Sequence, residues 1–397
     1  MATPCSSSAP SSALTVAVLG GVAQVPQQSW DALVDDDDPF LEHAFLSALE
    51  RSRSVGPGTA WEPRFLVAHQ SGQLVGAVPL YLKHDSLGEF IWDFAWADGA
   101  HSAGLRYFPK LVAAVPFTPA GGHRLLVHPG ADRVPVTRAL IAGMRALADA
   151  CGASSIHVLF CQEEELRELT SAGFMSRASY QFHWTNRSPE PYRDFDDFLT
   201  AYRSRQRKQV HHERSVVGDY GLRVVVAPGS ALDERAWAAV ERFYRATVDE
   251  YGSTAFLTPA FFREIRHHHP HRILATLAYQ GEEPVASTLN FMRGGRLFGR
   301  YWGSAQHLPM LHFEMCFYRL IEYAITHRLR IFEGGAGGEH KLKRGLLPER
   351  THSAHWIRHP ALARAIANYL HQEALAVEAE IRACLEASPF AHRPGNG

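Results

Sequence analysis

The chain is short of several things, and each shortage closes off a class of function. Its 397 residues include five cysteines (Cys5, Cys151, Cys161, Cys316 and Cys384), scattered and without a CxxC pair. That pattern excludes a zinc knuckle or a disulfide framework and leads us to expect a cytoplasmic protein. Neither charge is in excess. Forty Lys+Arg stand against 41 Asp+Glu, a net charge of −1 with neutral histidines, so the bulk field draws the chain to neither nucleic acid nor a membrane. No apolar run approaches the ~20 residues that a membrane-crossing helix needs. Residues 1–13, MATPCSSSAPSSA, lack a basic start and an apolar run of signal-peptide length. They are expected to be a disordered tail.

What is present is globular. Hydrophobic residues make up 46% and charged residues 20%, in a length that fits two domains of roughly 150–200 residues each. Strand-like runs at 14–20, 64–70 and 74–84 lead to an aromatic, acidic stretch at 89–98. There Trp92, Asp93, Trp96 and Asp98 alternate as on a strand. A helical stretch follows near 107–113, then an apolar helix over 134–150 and a buried strand over 154–160. QFHWTN (181–186), with His183, closes the half.

The Pro-rich segment 188–195 marks the expected boundary between an N-terminal domain (14–187) and a C-terminal one (195–360), followed by a terminal helix and tail (361–397). The second half repeats the order of the first: a helix-rich start, a β-meander over 271–303, a helix over 311–328 and one more strand over 330–335. The duplication rests on element order, since the halves share negligible identity. The class is α+β, with a mixed sheet and a late crossover helix in each half. Such sheets place ligands where strand ends splay.

The densest chemistry falls there. GRYWGSAQHLPMLHFE and RIFEGGAGGEHKLKRG gather Arg300, Trp302, His312, Glu314, Glu333, Glu339, His340, Lys341 and Lys343 around strand ends. A basic helix over 203–214 carries Arg203, Arg205, Arg207, Lys208 and Arg214. On a near-neutral chain this is a local anion site or a solvated face pairing with FDDF. Arg205 and Lys208, three apart, share a side of it. HHHPH (267–271) invites a metal, but adjacent histidines on a turn cannot all face one ion, so none is expected.

Several segments together resemble one family. SRSRQRKQVHHERSVV, GRYWG, LHFE, GAGGEHKLKRG and SAHW, with LVGAVPLYLK, WDFAWAD, GLRYFPKL, PFTP and QFHW in the first half, look like the Fem-like N-acyltransferases of the GNAT superfamily, often labelled peptidoglycan biosynthesis or recognition proteins. The likeness spans roughly residues 30–360 and implies two tandem GNAT-like domains. It also implies transfer of an acyl or aminoacyl group from acyl-CoA or aminoacyl-tRNA, as co-substrate rather than tightly bound cofactor, to a small-molecule or peptide amine. A tRNA or another phosphate-bearing ligand would lie on the basic helix.

Such a transfer needs a base, because an amine of pKa ~10.4 is protonated at neutral pH. Glu333, Glu339 and His340 are the candidates. Arg300, Lys341 and Lys343 would hold a carboxylate, phosphate or oxyanion, and Trp302, His312, Glu314, Trp92, Asp93 and His183 would contact substrate. Glu314, in the first helical turn, argues against an ordinary pyrophosphate site there. Conventional acetyl-CoA-dependent acetylation and non-catalytic binding of a cell-wall precursor or other anionic ligand are the competing readings.

Overall fold

Alternating β-branched and aromatic residues form fifteen strands among the described residues, which in this computed structural model are 13–252 and 254–391. All but the last residue of the expected tail lies outside them. The strands are β1 (Thr15–Leu19), β2 (Glu62–Pro63), β3 (Phe65–Gln70), β4 (Gln73–Val78), β5 (Leu80–Lys83), β6 (Lys110–Ala113), β7 (Leu126–Val127), β8 (Ser155–Cys161), β9 (Met175–Thr185), β10 (Arg223–Pro228), β11 (Ile273–Gln280), β12 (Glu283–Arg293), β13 (Arg296–Ser304), β14 (Ile331–Glu333) and β15 (Leu347–Ile357). Four make a small sheet in the order β1-β3-β4-β7. The other eleven form one sheet, β10-β11-β12-β13-β14-β9-β15-β8-β6-β5-β2. The class is α+β.

That order shows what the repeat in the sequence does not. β9 of the first half lies between β14 and β15 of the second, while β15 lies between β9 and β8. Each half has given its last strand to the other, and the large sheet runs unbroken through the expected boundary at 188–195. Both halves keep one parallel pair, β6 with β8 and β13 with β14.

Helices cover the sheet where apolar stripes demand it. Arg133–Ala150 buries Val136, Leu140, Ile141 and Met144, and Glu234–Glu250 buries Trp237, Val240, Phe243 and Tyr244. Asp132 and Asp233 cap them through the backbone N–H of Val134 and Ala236, at 3.1 and 2.8 Å. The last helix, Pro360–Glu386, lies against β9 and β15. No helix among the described residues is long and apolar enough to cross a membrane.

Two local expectations are corrected. The stretch 89–98 is not a strand. Asp93 turns inward to Lys110 and Tyr107, both at 2.6 Å, and the chain enters the helix Phe94–Ser102. A buried ion pair here outweighs strand propensity. The second correction is at Lys110–Ala113, which pairs between β5 and β8 as a fully buried strand rather than a helix. Sheet context again overrides local preference.

The seam where β15 meets β8 buries His355 against His157, Nδ1 to Nδ1 at 2.7 Å. Their far nitrogens meet Ser353 and Ser155, each at 2.8 Å. Burial holds both rings neutral, His157 down to about 3 and His355 well below its ordinary value. The unfolded chain therefore binds more protons than the folded one below pH ~6.5, and stability falls as pH drops through that point. Urea titrations between pH 7.5 and 5 should show a falling midpoint, and a His157→Asn/His355→Asn pair should flatten it. Cleavage engineered at 188–195 should leave the halves co-migrating in native gel filtration, because each completes the other's sheet.

Candidate active site

Parallel strands cannot be joined by a tight turn, so their ends are free to part. β13 and β14 keep register from Arg296–Ile331 to Phe298–Glu333 and no further. β13 continues to Ser304, while the other chain leaves at Gly334 through a glycine-rich loop. Gly335, Gly337 and Gly338 take φ of 77°, 65° and 88°, the left-handed region that favours glycine.

The gap is a cavity of about 470 Å³. Arg300, Tyr301 and Trp302 of β13 line one side, and the Gly334–Gly338 loop with His340 and Lys341 lines the other. His312, Cys316 and Phe317 of the following helical run close a third side. Phe90 and Pro119 of the first half complete the wall. The helical run widens into a π-turn at Glu314–Tyr318, and π-turns are frequent at functional sites.

Lys341 is 5% exposed. Its Nζ donates to the carbonyls of Gly335 and Ala336, at 2.8 and 3.1 Å. An ammonium has three N–H bonds, so one is left for a ligand. Burial lowers its pKa to about 8, and the Arg300 charge adds to this. His312 falls to about 4, first from burial and then from the His340, Lys341 and Arg344 charges. His340 is lowered by burial, Lys341 and Arg344. The His312 ring stands 5.3 Å from Trp302, 5.5 Å from Phe317 and 5.7 Å from His340. The cavity thus holds two imidazoles whose charged form is disfavoured, a softened ammonium and the Arg300 guanidinium between aromatic walls, and among the described residues no carboxylate lines it.

The structure unites five of the expected residues here, Arg300, Trp302, His312, His340 and Lys341, and disperses the rest. Glu333 is buried beneath the cavity in an ion pair with Arg296, with the His183 ring 3.9 Å away. His183 itself opens onto another, polar cavity with Glu349 and Asn186. Glu339 and Lys343 are exposed and line a neighbouring groove against the terminal helix, into which His340 also faces.

Glu314 does not oppose an anion as expected. It is 3% exposed, and its carboxylate is taken by Arg214 at 3.1 Å and Arg319 at 2.7 Å. Arg205 and Lys208 point to solvent without a side-chain partner among the described residues. Asp93 is buried in the first half beside Lys110, while Trp92 is half exposed. His269 is buried on the Pro39 carbonyl at 3.1 Å, and no metal-binding group of three ligands exists among the described residues.

Sequence reasoning missed Tyr301, Cys316, Asn290, Phe90 and Pro119 as lining residues. The polar Asn290 within an apolar strand was the available signal. The two first-half residues gave none, because only the tertiary fold brings them near.

A family model called FemAB-like, described as peptidoglycan biosynthesis/recognition, matches residues 21–392. The chain belongs to the FemAB-like family. Among solved structures, this FemAB-like chain resembles FemX, at 12% identity and TM-score 0.53 over 86% of this chain and 98% of the other. It also resembles the C-terminal domain of a protein assigned as a lysylphosphatidylglycerol synthetase from Agrobacterium fabrum, at 9% identity and TM-score 0.54, over 90% and 97%. L-PGS from Bacillus licheniformis matches at 10% and TM-score 0.50, over 82% and 94%. At these identities the likeness concerns the fold. No curated protein matches the chain.

A buried network fixes the 339–344 turn that carries His340 and Lys341. Arg344 donates to both Glu213 oxygens, at 2.6 and 3.2 Å, and to the His340 carbonyl at 2.9 Å. Tyr318 donates to Glu213 at 2.5 Å. Removing one partner strands a buried charge at roughly 3–5 kcal/mol, while replacing both is far milder. Glu213→Ala should therefore lower Tm more than Glu213→Leu/Arg344→Met does, as calorimetry of the two variants would show.

Proposed function

We propose that the protein is an N-acyltransferase. It moves an acyl or aminoacyl group from a thioester or ester on a phosphate-bearing carrier to an amine. The observation that carries this reading is the cavity chemistry: an ammonium with a spare donor beside two imidazoles held neutral, inside an apolar gap. A neutral imidazole at His340 or His312 takes the proton that the attacking ammonium group must lose. Lys341 then offers its remaining N–H to the oxygen that becomes negative as the tetrahedral intermediate forms. The amine nitrogen bonds to the acyl carbon and sheds a second proton, the bond to the carrier's sulfur or oxygen breaks, and of the two protons released one passes to the leaving atom and the other to solvent.

The carrier's phosphates find cations at the adjoining groove. Lys343 lines it with Gln206 of the basic helix, while Arg203, Arg205 and Lys208 stand unpaired on that helix among the described residues. His340 faces both spaces. A carrier on the groove thus delivers its acyl end past this ring. Aminoacyl-tRNA and acyl-CoA both meet this description.

The test is transfer from acetyl-CoA or aminoacyl-tRNA to a lysine-containing peptide, followed by mass spectrometry. Lys341→Met should reduce kcat about 100-fold or more. The oxyanion role needs charged Lys341, so wild-type kcat should fall as pH rises through about 8. Lys341→Arg should move that limb upward. The lowered pKa also means that folding disfavours this charge at neutral pH, so Lys341→Met should raise Tm at pH 7. Binding of either donor without turnover, indifferent to Lys341, would favour a non-catalytic binder instead.

A further inference from the structure

Phe90, which lines the cavity, begins a row of rings that leads out of it. Trp92 follows at 6.1 Å between centroids, and Phe94 at 5.4 Å from Trp92 with their planes only 14° apart. Trp92 is 50% exposed, Phe94 45% and Leu87 42%. These are three of the nine large apolar side chains exposed among the described residues, and they lie within eight residues, on one loop and the first residue of the helix that follows it.

An exposed apolar loop that is floppy carries no information, and this one is pinned. Glu89 and Asp93 both point inward to Lys110, at 2.9 and 2.6 Å, and Lys110 is fully buried. Trp61 and Lys83 both donate to the Leu87 carbonyl, at 3.1 and 3.0 Å. Gly88, at φ 76°, packs so tightly that a Cβ would sit 2.7 Å from the Phe117 ring. Phe90 itself is held at φ 62°, a conformation that a bulky residue adopts only when its surroundings impose it. With residues 89, 91 and 93 turned in, 92 and 94 are turned out. Four buried charged groups thus brace a strip of aromatic surface in water, and it runs continuously into the cavity.

We propose that this strip binds the acceptor, whose amine is therefore carried on a flat, apolar body such as an aryl or arylalkyl group. This rests on the transferase reading of the cavity. The amine end reaches Lys341 and His340 past Phe90, while the body lies along Trp92 and Phe94. A pre-ordered aromatic face loses little freedom on binding, and each ring pair adds about 0.5–1.5 kcal/mol. Lys110 acts as a positioning residue.

The test is calorimetric titration of the full chain with ethylamine, phenethylamine and 4-phenylphenethylamine. Affinity should rise about tenfold or more across the series. Trp92→Ala/Phe94→Ala should abolish that rise and leave Tm and ethylamine behaviour unchanged. Lys110→Met should weaken the rise as well, and phenethylamine protection of the loop from hydrogen exchange should vanish with it. A flat affinity series, or a rise that survives the double variant, overturns the proposal. So does Trp92-dependent binding to phosphatidylglycerol vesicles with no arylamine effect, which would make the strip a lipid contact. Transfer to a short amine separates the two ideas. If it proceeds while the strip is inert, only this proposal fails. If arylamines bind along the strip and no donor is ever turned over, the transferase reading fails.

Discussion

The site exists because two parallel strands part company. In an antiparallel sheet a turn would close the gap between β13 and β14. Here a helical crossover separates them in sequence, and their direct pairing runs up to Phe298 and Glu333. The Arg296–Glu333 ion pair spans this pairing from its first rung to its last. Beyond it the two chains no longer pair, and the cavity lined by Arg300, Trp302, His312, His340 and Lys341 opens between them. Glu333 is thus clamped beside the opening and does not line it.

The electrostatics of the opening follow from its walls. Aromatic rings and glycine backbone crowd Lys341, His312 and His340, and burial disfavours the charged form of each. Two imidazoles become neutral, and an ammonium becomes readily deprotonated. Carboxylates, which would have paired with Lys341 and kept it inertly charged, are absent from the lining among the described residues. The buried acids around it are spent on holding things still: Glu213 on Arg344, Glu314 on Arg214 and Arg319, Glu333 on Arg296.

Much of this was legible in the chain. Helices with apolar stripes and the meander over 271–303 were plain from periodicity, and the glycine-rich bend with its lysine and histidine pointed to the cavity. The fate of the two glutamates was not legible. A glutamate at a strand end and a glutamate in a turn look alike in sequence, and only the fold shows that one is clamped and the other faces a groove. Residues 89–98 misled because their aromatics suit a strand, whereas the inward pull of Lys110 on Asp93 is a contact between residues 17 apart in the chain. The Phe90 and Pro119 wall was invisible for the same reason.

The exchange of last strands has a consequence for how the molecule comes into being on a ribosome. When residue 187 has been made, β8 has an open edge, and β9 has neither of its neighbours, because both lie more than 140 residues downstream. The first half must wait, edges unpaired, until nearly the whole chain has emerged. Unpaired edges are where chains stick to one another. A chaperone that shelters these nascent edges would therefore matter more to yield than the strength of any single contact in the finished protein.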